Sequence, residues 1–159
     1  MSLLSFFQWC ESSAIGTAIK TSNWAFAVIE SAHLLGLALI GGILLIVNLR
    51  LLGFGLRRYP LAELAVDVQP WFIGSLTLML LTGFGLFLSE AVKCYYSQPF
   101  WVKMASLGLA IVFTLTVQRS AVLDVESESR PQFRRLVAIV SLLLWFSVGA
   151  AGRWIGFSG

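Results

Sequence analysis

A long apolar stretch near the N-terminus, with a single charged residue, constrains this chain more than any other feature. Between Thr21 and Leu49 the only charged residue is Glu30. At a helical rise of about 1.5 Å per residue, such a run is long enough to cross the roughly 30 Å apolar core of a bilayer. The stretch therefore predicts a membrane-spanning α-helix.

Two polar side chains interrupt this apolar run and give the strongest functional signal in the chain. Glu30 and His33, the only histidine, are three residues apart, so their side chains can meet on one helix face. Glu30 also shares a helical line with Leu37, Gly41 and Asn48. Because a carboxylate within a bilayer costs several kcal/mol unless it is paired, we expect a buried Glu30–His33 pair with a specific role.

The composition places the whole chain in the membrane class. Of its 159 residues, 58% are hydrophobic and 12% charged, and the mean hydropathy is +0.85, whereas globular domains carry roughly 25% charged residues. The net charge of +3 comes with arginines at helix ends, so topology explains it better than nucleic-acid binding does. We expect the lipid bilayer as partner and no nucleic acid.

The hydrophobic pattern predicts an all-α fold: one domain over 1–159, an integral membrane four-helix bundle with an N-terminal interfacial amphipathic helix. The amphipathic helix is predicted over 2–20, either lying along the membrane interface or packed on the bundle. The spans are predicted at about 22–49, 68–90, 99–118 and 133–156. A short surface helix is predicted over Leu61–Val68, with Pro70 opening the second span, and a polar loop over Ser120–Arg130.

The distribution of basic residues predicts the orientation. If the segment after the first span is cytoplasmic, seven basic residues lie inside: Arg50, Arg57, Arg58, Arg119, Arg130, Arg134 and Arg135. Four lie outside: Lys20, Lys93, Lys103 and Arg153. This bias predicts that both termini are outside, which is the periplasmic side in a bacterial inner membrane.

The depths of the polar groups predict a cluster in the outer half of the bundle. Glu30 lies roughly 9 Å and His33 roughly 13 Å below Trp24, while Lys103 lies roughly 6 Å below the start of its helix. Arg153 approaches the same level from the fourth span. Two interpretations stay open: ion pairing that merely neutralises Glu30 and sets helix register, or a ligand or cofactor site.

The two cysteines and the lone histidine limit other chemistry. Cys10 and Cys94 both fall on the outer side, where they form either a disulfide or two unpaired thiols. Because the single histidine already sits beside Glu30, no Ser/His/Asp set is available for ordinary hydrolysis. The sequence does not decide whether the protein is an enzyme.

Each predicted span carries a short motif: Glu30-Ser-Ala-His33-Leu-Leu-Gly36 leading into Gly41-Gly42, Leu-Thr-Gly83-Phe-Gly85-Leu-Phe, Gln98-Pro99-Phe100-Trp101-Val-Lys103, and Gly152-Arg153-Trp154. These motifs resemble those of bacterial four-helix membrane families of unknown function, which are distantly similar to the CopD-like copper-resistance membrane domain. The resemblance implies a bacterial inner-membrane helical bundle, with His33 and Lys103 as matching positions, and metal or haem handling.

Three functional hypotheses follow. In the first, His33 and Glu30 bind a metal such as copper, or His33 is the axial ligand of haem b for electron transfer, with Lys103 and Arg153 near the propionates. The second haem ligand then comes from His33 of a second copy or from another protein, or that position stays open. In the second hypothesis, the protein is a transporter or channel for protons, cations or a small solute, with Glu30 and His33 as a proton or cation relay along the stripe to Asn48. In the third, the protein binds no cofactor and is an accessory subunit of a larger membrane complex; a homo-oligomer is also expected.

Overall fold

Four long helices dominate the computed structural model, which describes residues 2–55, 59–123 and 130–156. Each is long and apolar enough to cross a membrane. The first is α3 (Ala25–Leu51) and the second α4 (Leu61–Ser89). The third combines α6 (Gln98–Phe113), a π-helical segment (Thr114–Gln118) and α7 (Arg119–Leu123), and the fourth is α8 (Pro131–Ile155). Within the described ranges every regular element is helical, as the sequence predicts.

The helices pack as two hairpins. Helix α3 packs along α4, and α6 along α8, while α3 and α8 join the two pairs. Helices α4 and α6 make few direct contacts and leave a crevice between them. The central core contains Ile40, Leu76, Met79, Trp145 and Val148. Trp145, which lies in the middle of the fourth span, is thus a core residue, and its indole nitrogen donates a hydrogen bond to the Thr114 hydroxyl at 3.0 Å.

The N-terminal segment differs from the single helix predicted over 2–20. It forms α1 (Leu3–Glu11) and α2 (Ala14–Thr21), because the Ser13 side chain accepts a hydrogen bond from the Gly16 N–H and caps a new helix. Helix α1 packs on the short helix α5 (Ala91–Tyr96) and buries Phe7 and Cys10 there. The structure therefore corresponds to the alternative in which this segment packs on the bundle.

The second span begins earlier than predicted. Instead of a separate surface helix followed by a helix that starts at Pro70, α4 runs unbroken from Leu61 to Ser89 with Pro70 inside it. Proline lacks an N–H, so this helix gives up one backbone hydrogen bond at Val66. Burial of Leu61 and Leu64 accompanies the extra turns and opposes that loss.

The third span is also longer than predicted. Gln118 does not end it: the π-helical segment leads into α7, which continues to Leu123 over the first part of the predicted polar loop. The remainder of that loop, 124–129, lies outside the described residues, as do Arg57 and Arg58 of the predicted inner set.

A closed polar network ties three helices together in the half of the bundle that carries most of the arginines. The Asn48 amide nitrogen donates to the Leu44 carbonyl and to the Ser141 hydroxyl, at 2.8 and 3.1 Å. Gln118 donates to the Asn48 amide oxygen at 3.1 Å, and Ser141 donates to the Gln118 amide oxygen at 3.0 Å. All three polar side chains are buried. The network fixes the register of α3, α8 and the π-helical segment.

Candidate functional site

His33 is held by α4 and not by Glu30. Its Nδ1 atom lies 2.9 Å from the Thr82 hydroxyl oxygen. That hydroxyl donates its own proton to the Leu78 carbonyl at 2.6 Å, so its oxygen is placed to accept from His33. In the tautomer with the proton on Nδ1, Nε2 carries the lone pair that a metal centre needs.

A glycine makes room for this ring. A Cβ atom placed on Gly83 would lie 3.1 Å from His33 Cε1 and 3.6 Å from Nδ1. The imidazole edge therefore rests directly on the α4 backbone between Thr82 and Gly83. Because the ring has contacts on this edge and a hydrogen bond at Nδ1, its orientation is fixed before any ligand arrives.

Lys103 approaches the same space from α6. Its side chain is half-buried and passes over Gly152, where a Cβ atom would lie 3.4 Å from Nζ. Among the residues that the structure describes, no carboxylate oxygen lies within 4 Å of Nζ. A cation without an anionic partner in a largely apolar setting favours a ligand that brings a negative charge.

Glu30 contradicts the prediction that it is buried with His33. It is exposed, and in the described part of the chain it forms neither an ion pair nor a hydrogen bond with His33 or Lys103. Glu30 instead lines a cavity, with Glu90 and Lys93 also on the lining. The physical reason is the rotation of α3 about its axis, which turns His33 towards α4 and leaves Glu30 exposed.

Two adjoining cavities meet at His33 and Lys103. One, of about 230 Å³, occupies the α4–α6 crevice and is lined mainly by apolar and aromatic side chains, among them Phe84, Phe87, Phe100 and Trp145. The other, of about 270 Å³, lies between α3 and α8 and includes Glu30 and the exposed Arg153. The structure thus brings all four predicted site residues around one space.

The cysteines lie together in one buried cluster with Phe7, Leu88 and Ala91, and both are free thiols in this structure. Burial, reinforced by the negative charge of Glu90, raises the pKa of the Cys94 thiol to about 11. The thiolate that reacts in disulfide exchange is therefore scarce at neutral pH. The predicted disulfide stays a prediction.

Comparison with known proteins assigns the chain to a family. One family profile, described as a family of unknown function (DUF6644), matches residues 6–158. The chain belongs to the DUF6644 family. No curated protein and no solved structure matches it.

In this DUF6644 protein the sequence misses the residue that orients the histidine. Thr82 lies on a different span from His33, and the rotation of α4 relative to α3 depends on side-chain packing along both helices. The only local signal is the Thr82-Gly83 pair, a hydroxyl next to a residue without a side chain. Gln118 and Ser141, the partners of Asn48, are missed for the same reason.

Proposed function

We propose that this DUF6644 protein is a multi-pass protein of a bacterial inner membrane that binds haem b through His33 and transfers electrons. The observation that carries the proposal is the hydrogen bond from His33 Nδ1–H to Thr82, which leaves Nε2 as a metal ligand beside an aromatic crevice. Ligating histidines in metalloproteins usually donate their other N–H to an acceptor in this manner.

Haem fits the donor set better than a copper ion does. In the described residues no group of three or more His, Cys, Asp or Glu side chains lies close enough together to hold a metal ion. A bare ion needs several protein donors, whereas the porphyrin of haem supplies four nitrogens and requires one axial histidine from the chain. His33 is therefore sufficient as the axial ligand from one protomer.

The surroundings of His33 suit the rest of such a cofactor. Each cavity alone falls below the roughly 300 Å³ at the lower end of small-molecule sites, so a haem has to occupy both cavities where they join. Phe84, Phe87 and Phe100 would contact its apolar body, and Lys103 and Arg153 would pair with its propionates. When bound, haem supplies a one-electron redox centre. The second axial position is left to His33 of a second copy, to another protein, or to solvent.

The orientation proposed with this function follows the basic residues. Arg50, Arg119, Arg134 and Arg135 are described at one end of the long helices, which we propose is cytoplasmic. Lys20 and Lys93 lie at the opposite end, with the haem site in the half nearest to them. Both termini are then periplasmic.

An absorption spectrum of the full chain purified in mild detergent tests the proposal, together with haem extraction and metal analysis. We expect a Soret band that is lost in His33→Ala. Thr82→Val should retain haem about 10–100-fold more weakly, because the ring loses the acceptor that fixes its tautomer. Thr77→Val is the matched control: Thr77 is another α4 threonine that bonds its own helix at 2.9 Å, and it should leave the spectrum unchanged. Protein that expresses well with added haem precursor yet shows no Soret band refutes the proposal.

A second candidate function, an accessory subunit of a membrane complex, is favoured by the third span. In its most apolar stretch of 18 residues, only 6% is buried within the chain, against 33–39% in the corresponding stretches of the other three spans. A second chain along this helix would bury that surface. Stable co-purification with larger partners, with no spectral consequence of His33→Ala, would support this role instead of haem binding.

The geometry supports the proton or cation relay less well than it supports haem binding. Between His33 and Asn48 the bundle is filled by apolar side chains, including Ile40, Leu44 and Val148. Asn48 itself is saturated by its hydrogen bonds to Leu44, Ser141 and Gln118. The predicted stripe is therefore not a continuous polar path in this structure.

A further inference from the structure

A third cavity lies in the arginine-rich half of the bundle, and the proposed haem function does not use it. Its volume is about 160 Å³, and it forms a groove between α4 and the π-helical segment, with α3 contributing to its lining. The lining is mainly apolar and includes Ile43, Val47, Phe72, Ile73, Leu115 and Val122. Ile73 and Leu115 are also exposed on the flank of the bundle, so the groove opens sideways.

Backbone irregularities on both walls shape this groove. On α4, Pro70 leaves the Val66 carbonyl without its helical donor, and Val66 lines the groove. On the opposite wall the chain is π-helical over Thr114–Gln118, a form that is rare and frequently marks functional positions. The groove is thus fixed by the course of two helices and does not depend on one side-chain rotamer.

One basic side chain is available to a ligand here. Arg119 lines the groove and is exposed, and no carboxylate among the described residues lies within 4 Å of its guanidinium. The Gln118 amide, by contrast, is already bonded to Asn48 and Ser141. The groove therefore offers an apolar trough beside the positive charge of Arg119, which pairs with no carboxylate in the described part of the chain.

We propose that this groove binds an anionic phospholipid, with one acyl chain in the trough and the phosphate on Arg119. The chemistry of the groove matches both parts of that ligand: hydrocarbon for the trough and a phosphate for the guanidinium. The sideways opening faces the direction from which bilayer lipid arrives. This inference is independent of haem binding.

Lipid retention tests the proposal. The full chain in detergent is incubated with equal amounts of phosphatidylglycerol and phosphatidylcholine carrying the same acyl chains, repurified, and its bound lipid measured by mass spectrometry. We expect phosphatidylglycerol to be enriched about fivefold, the ratio that about 1 kcal/mol per arginine produces. Arg119→Gln should abolish the enrichment. The control Arg135→Gln, an exposed arginine at the same end that does not line the groove, should keep it.

A second variant tests the contribution of the apolar trough separately from that of the Arg119 charge. Ala65 lines the groove and is half-buried, so Ala65→Phe should fill the trough and reduce retention of both lipids. Unchanged tryptophan fluorescence shows that the variants are folded. Equal retention of the two lipids by the wild type overturns the proposal, and so does equal loss of enrichment in Arg119→Gln and Arg135→Gln.

Discussion

Replacing Asn48 with leucine should destabilise the bundle more than removing the whole polar network does. Asn48 bonds Ser141 on α8 and accepts from Gln118 in the π-helical segment, and all three side chains are buried. Leucine has the same branched shape and the same number of side-chain heavy atoms as asparagine, so the change removes the hydrogen bonds and leaves no cavity. The Gln118 amide nitrogen then stays buried without its acceptor.

The expected cost follows from the two interhelical hydrogen bonds that are lost. Such bonds in membrane proteins contribute about 0.6 kcal/mol on average and up to about 1.7 kcal/mol each. The orphaned Gln118 donor adds to that loss. We therefore expect Asn48→Leu to lower the free energy of unfolding by about 1–3 kcal/mol. The triple variant Asn48→Leu, Gln118→Leu, Ser141→Ala should lower the free energy of unfolding by less than Asn48→Leu alone, because it leaves no buried polar group unpaired.

Unfolding in mixed micelles of mild detergent and increasing sodium dodecyl sulfate, followed by tryptophan fluorescence, measures these differences. Trp145 is buried in the core and reports on loss of packing. Ser147→Ala serves as the control, because Ser147 is only partly buried and its hydroxyl bonds its own helix at 2.8 Å. If the triple variant costs as much as the sum of its single substitutions, the three residues do not act as one network and the reasoning fails.

Two further predictions concern the N-terminal helices. Gly16→Ala should lower the free energy of unfolding by about 1–3 kcal/mol, because the new Cβ would lie 2.5 Å from the Leu88 carbonyl oxygen. The control Gly41→Ala adds a Cβ with no neighbour within 4 Å and should leave that free energy unchanged in the same assay. A hydrogen bond from Lys20 lowers the pKa of Glu11, so this contact contributes stability above the ordinary carboxyl value of about 4.5 and loses it as pH falls through the lowered value. Protease sensitivity of α1 and α2 should therefore rise on acidification in the wild type, and a pH-independent profile identical to that of Glu11→Gln would contradict this.

Much of the fold could be predicted because hydrophobic periodicity and length are properties of the chain itself. The apolar run in which Glu30 is the only charged residue, together with three similar runs, indicates four long helices, and the structure contains them. The boundaries were less accurate at Pro70 and Gln118. At Pro70 a signal for the start of a helix, and at Gln118 the end of an apolar run, were overridden by packing of the additional turns against neighbouring helices.

The candidate site, like the fold, could be predicted from the sequence only in part. The sequence by itself determined that His33 and Lys103 lie in the same half of the bundle, because depth follows from counting residues along a helix. Only the tertiary structure decided that His33 bonds Thr82 and that Glu30 is exposed and lines a cavity. These outcomes depend on the rotation of each helix about its axis, and that rotation is set by the combined packing of many side chains on all four spans.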